Sequence, residues 1–139
     1  MALLDADLVV KRSTLPGIGK GLFTKVFIPK GTRITEYKGR EMTWKEVEAE
    51  VDDHIGYVFW FSNNRVIDAW NTKKGVAHFA NDAKGIVRMP GVTNNSEYVI
   101  EGGRCYIEAT KNIEAGAEIF VGYGAEYWRA IRYNLRNNL

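Results

Sequence analysis

Glycine sets the grain of this chain. Its 139 residues hold 14 glycines and only 3 prolines, and over most of the length the glycines recur at short intervals. Glycine weakens a helix interior by about 1 kcal/mol relative to alanine, yet it enters tight turns without steric cost. Such punctuation favours short strands joined by turns over long helices or disordered linkers. With 45% hydrophobic residues, the length suffices for one core and is too short for two ordinary domains. The expectation is a single domain over residues 1–139, mainly β with short helices (α+β).

The strands follow from alternation between the turns. Leu8-Val9-Val10-Lys11 reads as a first strand, and Leu22-Phe23-Thr24 resumes extended structure after a loop with glycines at 17, 19 and 21. Phe27-Ile28-Pro29-Lys30-Gly31 reads as a turn with Pro second and Gly fourth, feeding the strand Arg33 to Tyr37, which Lys38-Gly39 ends. Tyr57-Val58-Phe59-Trp60-Phe61 and Arg65-Val66-Ile67-Asp68 form a hairpin across Asn63-Asn64, with Tyr57, Phe59 and Phe61 on one face. Tyr98 to Glu101 pairs with Arg104 to Glu108 across Gly102-Gly103, a strong two-residue turn signal. The pattern I-x-x-G-x-x-I occurs at Ile28–Ile34 and again at Ile113–Ile119, each time running on to a tyrosine with a glycine within two residues. It predicts two similar turn-strand units in different parts of the domain.

Helices are few. Thr43-Trp44-Lys45-Glu46 has the form of a capping box, and Trp44, Val47 and Val51 give the helix it starts one apolar stripe. Near the end, Trp128, Ile131 and Leu135 are spaced as an apolar face, with Arg129, Arg132 and Arg136 one residue on. A terminal helix over 126–139 is expected.

Three places hold chemistry. Tyr123 lies between Gly122 and Gly124 after a strand with Ile119 and Val121 on one face; it is either a core tyrosine with a satisfied hydroxyl or a reaction centre open to close approach. The loop Gly17-Ile18-Gly19-Lys20-Gly21 is either a plain turn or a backbone cradle for a ligand. It lacks the Gly-Lys-Ser/Thr of a phosphate loop, and no helix pattern follows as a dinucleotide site requires. Asn81-Asp82, inside the apolar run Val76 to Ala83, is either a local Asx turn or a polar pair with partners elsewhere.

Composition removes other classes. One cysteine, Cys105, excludes an internal disulfide and a Cys-cluster zinc site; it reads as a small buried hydrophobe on a strand. His54 has no second histidine at ligand spacing, so no metal is expected. No apolar run approaches the ~18 residues of a membrane span, and the first residues lack the pattern of a signal peptide. A soluble, cytoplasmic protein is expected. The net charge is +2, with nine Lys/Arg against two Glu in residues 11–45 and five acids without a base in 46–56. These runs read as solvated faces or, for the acids, as a surface steering a basic partner. The modest charge and the absence of a nucleic-acid motif argue against nucleic acid as a direct ligand.

Four motifs in order resemble the SET-domain protein lysine methyltransferases, and the match runs from about Leu8 to Trp128. Gly17-Ile18-Gly19-Lys20-Gly21-Leu22-Phe23 resembles that family's opening G-x-G segment, and Tyr57 to Phe61 its central aromatic strand. His78-Phe79-Ala80-Asn81-Asp82-Ala83 is similar to the R-F-I-N-H-S signature, with His78 for its Arg and Asp82 for its His. Gly116 to Gly124 resembles the final G-E-E-L-x-x-x-Y-G. The chain looks like the compact bacterial and viral members, without a cysteine-rich zinc segment after the domain.

The resemblance implies a β-clip fold of small sheets with a knot-like crossing. It also implies methyl transfer from S-adenosyl-L-methionine to a lysine amine of a protein, whether histone, histone-like or ribosomal. In that reading Tyr123, Tyr98 and Tyr57 are the catalytic or channel aromatics. Ile18, Gly19, Lys20, Gly21, Tyr57, Asn81, Asp82, Tyr123 and Trp128 hold the cofactor, and the terminal helix closes the site. The alternative is a catalytically weak SET domain that binds peptide or cofactor as an interaction module, motivated by Asp82. Homodimerisation stays open, as does nuclear or host-chromatin action for a eukaryotic, viral or pathogen source.

Overall fold

The computed structural model describes residues 3–49, 58–62, 64–69, 72–73, 75–85 and 87–123. Tyr57, His54, Val51, Trp128 and the terminal helix expected over 126–139 lie outside them. In chain order the strands are β1 Leu8–Arg12, β2 Lys20–Thr24, β3 Arg33–Glu36, β4 Arg40–Met42, β5 Val58–Ser62, β6 Arg65–Asp68, β7 Ser96–Glu101, β8 Arg104–Ala109 and β9 Glu118–Ile119. One α-helix, α1 Trp44–Ala49, and 3-10 turns at Asp5–Asp7 and Ala77–Phe79 complete the described elements. The strands form three antiparallel sheets, ordered β1-β2-β9, β3-β8-β7 and β4-β6-β5.

Local chemistry explains most of this order. Gly102 and Gly103 take φ of 60° and 76°, the left-handed pair that a two-residue hairpin turn needs, and β7 pairs β8 from Ser96↔Ala109 to Glu101↔Arg104. At α1 the Thr43 N–H donates to Glu46 Oε1 at 2.9 Å while the Glu46 N–H donates to Thr43 Oγ1 at 3.2 Å. This is the reciprocal capping box, and those Thr43 contacts hold the Glu46 carboxyl below its ordinary range.

The local reading changes in two places. The turn before β3 runs from Pro29 to Thr32, closed by the Thr32 N–H to the Pro29 carbonyl at 3.1 Å. Proline is therefore first and Gly31 third, because only the third position of a type II turn asks for the φ of 88° that Gly31 adopts. The strand from Arg33 does end before Lys38-Gly39, but a strand not expected from the sequence, β4, follows at once and pairs with β6. Arg40-Glu41-Met42 carries no apolar alternation, so pairing and not pattern makes it a strand.

Gly39 has its own constraint. A Cβ there would run into the Asp68 carbonyl and the Ala69 Cα, backbone that cannot swing aside. Gly39→Ala is expected to cost about 1–3 kcal/mol through overpacking, read as a lower urea midpoint at unchanged slope. An unaltered midpoint would show that the β4–β6 approach is not tight.

The two I-x-x-G-x-x-I units prove to be partners. Ile28 and Ile113 exchange both backbone hydrogen bonds, each at 2.8 Å, and Gly31 and Gly116 take matching φ of 88° and 87°. From that shared origin the units diverge into β3 and β9. Ile28, Ile34, Ile113 and Ile119 all enter the main core with Leu8, Leu22, Ile67, Ile107 and Val121. Cys105 is fully buried there, as a small hydrophobe, and burial pushes its thiol up to about 12. A smaller cluster of Leu15, Ala83 and Phe120, flanked by Ile18, lies apart from it. Alternation along 119–121 thus sends Ile119 and Val121 to one core and Phe120 to the other.

Candidate functional site

A cleft of about 380 Å³ opens where three distant segments meet, lined by Ile18, Gly19, Lys20, His78, Phe79, Asn81 and Tyr123. Residues 18–20 arrive on the loop between β1 and β2, where Gly19 at φ 96° turns the chain back into β2. The Ser13 N–H to Gly19 carbonyl bond at 2.7 Å closes that loop. Below it, Leu15 and Ile18 pack with Phe120 and Ala83, so the cleft rests on the smaller core.

Glu118 ties the segments together. Its carboxylate is buried and accepts from Ser13 Oγ at 2.7 Å, Thr14 N–H at 2.8 Å, Thr14 Oγ1 at 2.7 Å and Asn81 Nδ2 at 3.5 Å. Gly21 is bare for this reason, since a Cβ there would collide with Glu118 Oε2. The sequence points to Gly21 as a cofactor contact, and the structure places it against this carboxylate. Asn81 also donates to the Lys20 carbonyl at 2.9 Å, fixing the cleft's two walls to each other.

The chain beyond β9 is clasped on both sides. Phe120 bridges Asn81 and Val121 bridges Ser96, both in parallel sense. Asn95 acts as a length of backbone, with Oδ1 accepting the Phe120 N–H at 2.9 Å and Nδ2 donating to the Glu118 carbonyl at 3.0 Å. The stretch therefore arrives at Tyr123 in a fixed register. Asp82 meets it there, buried, and accepts the Tyr123 N–H at 2.9 Å and the Lys84 N–H at 2.8 Å. Both readings of the Asn-Asp pair apply together, because the Lys84 contact is an Asx turn and the Tyr123 contact reaches 41 residues along the chain.

Tyr123 has two neighbourhoods. One side lines the cleft; its hydroxyl donates to the Ala80 carbonyl at 2.6 Å. On the other, its ring stacks on Tyr98 at 6.2 Å and 24°, and Tyr98 in turn meets Tyr37 and Phe59 edge-on. Phe59 and Phe61 touch at 5.0 Å, as their shared strand face predicts.

Of the site residues expected from sequence, Ile18, Gly19, Lys20, Asn81 and Tyr123 come together on the cleft. Tyr98 stands behind Tyr123, while Gly21 and Asp82 act beneath the surface. Tyr57 and Trp128 lie outside the described residues. His78 and Phe79 on the lining, and Tyr37 beside Tyr98, were not foreseen. The signal for Tyr37 was present, since the repeated unit ends in a tyrosine both times, and the two copies bring Tyr37 and Tyr123 to the same partner, Tyr98.

Burial holds His78 below its ordinary range, which disfavours its charged form in the folded protein. Its folded value lies under the unfolded value near ~6.5, so its contribution to stability is complete above that pH and is lost as pH falls. Replacing His78 with glutamine is expected to flatten the stability profile below pH ~6.5 in thermal melts. An unchanged profile would sever His78 from acid sensitivity. Among the described residues no group of three His, Cys, Asp or Glu side chains is arranged to hold a metal, and no helix is long and apolar enough to cross a membrane.

A family model described as the SET domain matches residues 19–124. No curated protein matches the sequence. Among solved structures, the chain is similar to that of ctPRC2 in complex with H3K27me3 and H3K27M, with TM-score 0.69 and 26% identity over 88% of this chain and 15% of that one. It is similar to apo ctPRC2 in an autoinhibited state, with TM-score 0.73 and 24% identity over 99% and 17%. A third is a humanized mutant of the Chaetomium thermophilum Polycomb Repressive Complex 2 bound to the inhibitor GSK126, with TM-score 0.68 and 24% identity over 88% and 15%. The chain spans 15% to 17% of the length of those chains.

Proposed function

Because this chain belongs to the SET-domain family, we propose that it transfers a methyl group from S-adenosylmethionine to the side-chain amine of a lysine in a protein. The observation that carries the reading is the double position of Tyr123, one face on the cleft and the other on an aromatic cluster. A cleft of about 380 Å³ falls within the range of small-ligand sites, and its lining fits this cofactor. Lys20 offers a cation for the carboxylate, His78 and Phe79 offer flat apolar faces, and Gly19, Ile18 and Asn81 offer backbone and amide contacts. When bound, the cofactor would supply an electrophilic methyl on a sulfonium: the N–C bond to the neutral amine would form in line as the C–S bond breaks, with the neutral thioether as leaving group.

The chain's own residues prepare the amine. A lysine of ordinary pKa is neutral in only about one part in 2,500 at pH 7, equivalent to about 4.6 kcal/mol. Tyr37, Phe59, Tyr98 and Tyr123 make an aromatic surround that disfavours the ammonium by desolvation. The Tyr123 hydroxyl has committed its proton to Ala80, so its oxygen presents lone pairs to an amine N–H. It orients the nucleophile and does not act as a base, its proton being donated to the Ala80 carbonyl. Orientation at near-attack distance then removes much of the entropic barrier.

The same reading extends to the architecture. The clasped passage of 118–123 between Asn81 and Ser96 is the proposed knot-like crossing, and 126–139 the proposed closing helix of one domain. The favoured substrate is a lysine in a histone or histone-like protein, in line with the H3K27me3 and H3K27M held by ctPRC2 in one similar structure. Mass spectrometry of histones, histone-like and ribosomal proteins after incubation with cofactor is the test, and methyl groups on a lysine are expected. Cofactor binding without transfer to any lysine across that panel would leave the interaction-module reading in its place.

A further inference from the structure

Asp82 holds its partners in an arrangement that only a carboxylate satisfies. Oδ1 accepts the Lys84 N–H at 2.8 Å and Asn94 Nδ2 at 2.9 Å. Asn94 is itself held, its Oδ1 accepting the Ala83 N–H at 2.8 Å. These contacts orient the carboxylate, and Oδ2 is thereby aimed at the Tyr123 N–H, 2.9 Å away. Two residues earlier the Ala80 carbonyl receives the Tyr123 hydroxyl proton, and between them the Asn81 carbonyl accepts the Val121 N–H at 2.9 Å. The segment 80–82 therefore grips Tyr123 at its backbone and at its hydroxyl, and sets the register of the strand that carries it.

We propose that Asp82 is a positioning residue for Tyr123: its carboxylate, through the Tyr123 N–H, sets where the hydroxyl stands over the cleft. It does not itself line the cleft. The consequence for rate rests on the methyltransferase reading, while the geometry does not. Three donors converge on Asp82, and a group with two acceptor oxygens and no donor answers all of them. Asparagine would turn an NH₂ toward one donor, and neutral histidine has one acceptor nitrogen for three donors. Histidine, the residue of the family signature at this position, is therefore wrong for this chain.

The test compares Asp82→Asn and Asp82→His with the parent chain in two measurements. The first is steady-state methylation of a lysine peptide, giving kcat and the KM for S-adenosylmethionine. The second is the amide resonance of Tyr123 in protein labelled with ¹⁵N-tyrosine, assigned with Tyr123→Phe and recorded without ligand. Both variants should lose kcat by on the order of ten- to a hundredfold with the cofactor KM near the parent value. The Tyr123 amide should shift upfield and exchange its hydrogen faster. Asn94→Ala leaves Asp82 in place but frees one side of its carboxylate; a smaller loss of kcat is expected, not additive with Asp82→Asn.

A histidine variant as active as the parent would overturn the inference. So would a Tyr123 amide that ignores Asp82→Asn, a KM that rises while kcat holds, or additive effects with Asn94→Ala. If the parent methylates no lysine, the proposed function fails alone, and the amide resonance still decides the placement of Tyr123.

Discussion

Tyr123→Phe should reduce kcat for lysine methylation by on the order of a hundredfold, while cofactor affinity measured by calorimetry stays close to that of the parent. The substitution removes one oxygen. That oxygen is the only atom by which the side chain can orient an amine. The ring keeps its stacking on Tyr98, so the aromatic wall and its desolvation of the ammonium persist. The loss on stability is the hydrogen bond to the Ala80 carbonyl, worth about 1 kcal/mol, or roughly 3–4 °C in a chain of this size. A phenylalanine variant with parental turnover would remove Tyr123 from the chemistry, and a loss of cofactor binding equal to the loss of rate would assign it to the pocket instead.

The largest expected effect on stability belongs to Glu118→Ala. The substitution leaves the buried Ser13 hydroxyl and the Thr14 N–H and hydroxyl without the acceptor they share. Hydrogen bonds to a charged group are worth about 1.5–3 kcal/mol each, but their losses overlap because water reaches the exposed Thr14. A cost of about 3–4 kcal/mol follows, read as a fall of roughly 10 °C in the midpoint. The β1–β2 loop should loosen as well, raising the KM for cofactor. Gly21→Ala offers a check from the opposite side, because its added methyl collides with the same carboxylate. Its cost should shrink when Glu118 is already alanine. A Glu118→Ala protein within about 1 kcal/mol of the parent would mean that the network adds nothing beyond what water supplies.

The sequence displayed local determinants well and long-range ones poorly. Gly102-Gly103 and Thr43-x-x-Glu46 act within a few residues, so the hairpin β7–β8 and the start of α1 could be read directly. Tyr123 stood out because its flanking glycines are local too. The roles of Asp82 and Glu118 depend on partners 41 and 105 positions away, which no spacing rule reveals. Asp82 looked like a substituted cofactor contact, and no local signal singled out Glu118; in the fold, both hold the cleft's walls in place. β4 was hidden for the complementary reason, since its pairing with β6 is a property of the sheet and not of Arg40-Glu41-Met42. The repeated I-x-x-G-x-x-I pattern was visible, but its meaning as a pair joined at Ile28 and Ile113 required the third dimension.

The bond between Ser13 and Glu118 also sets a timetable. At the usual 5–20 residues per second of synthesis, roughly 5 to 20 s separate the emergence of these two residues. During that interval β1 and β2 can form a hairpin, but the side of β2 that receives β9 stays open, with Leu22 and Phe23 at the unpaired edge. Such an edge is a template for pairing with other chains, and the arrival of β9 removes it. A ribosome that stalls before Glu118 leaves an aggregation-prone fragment and not a weakened form of the finished protein.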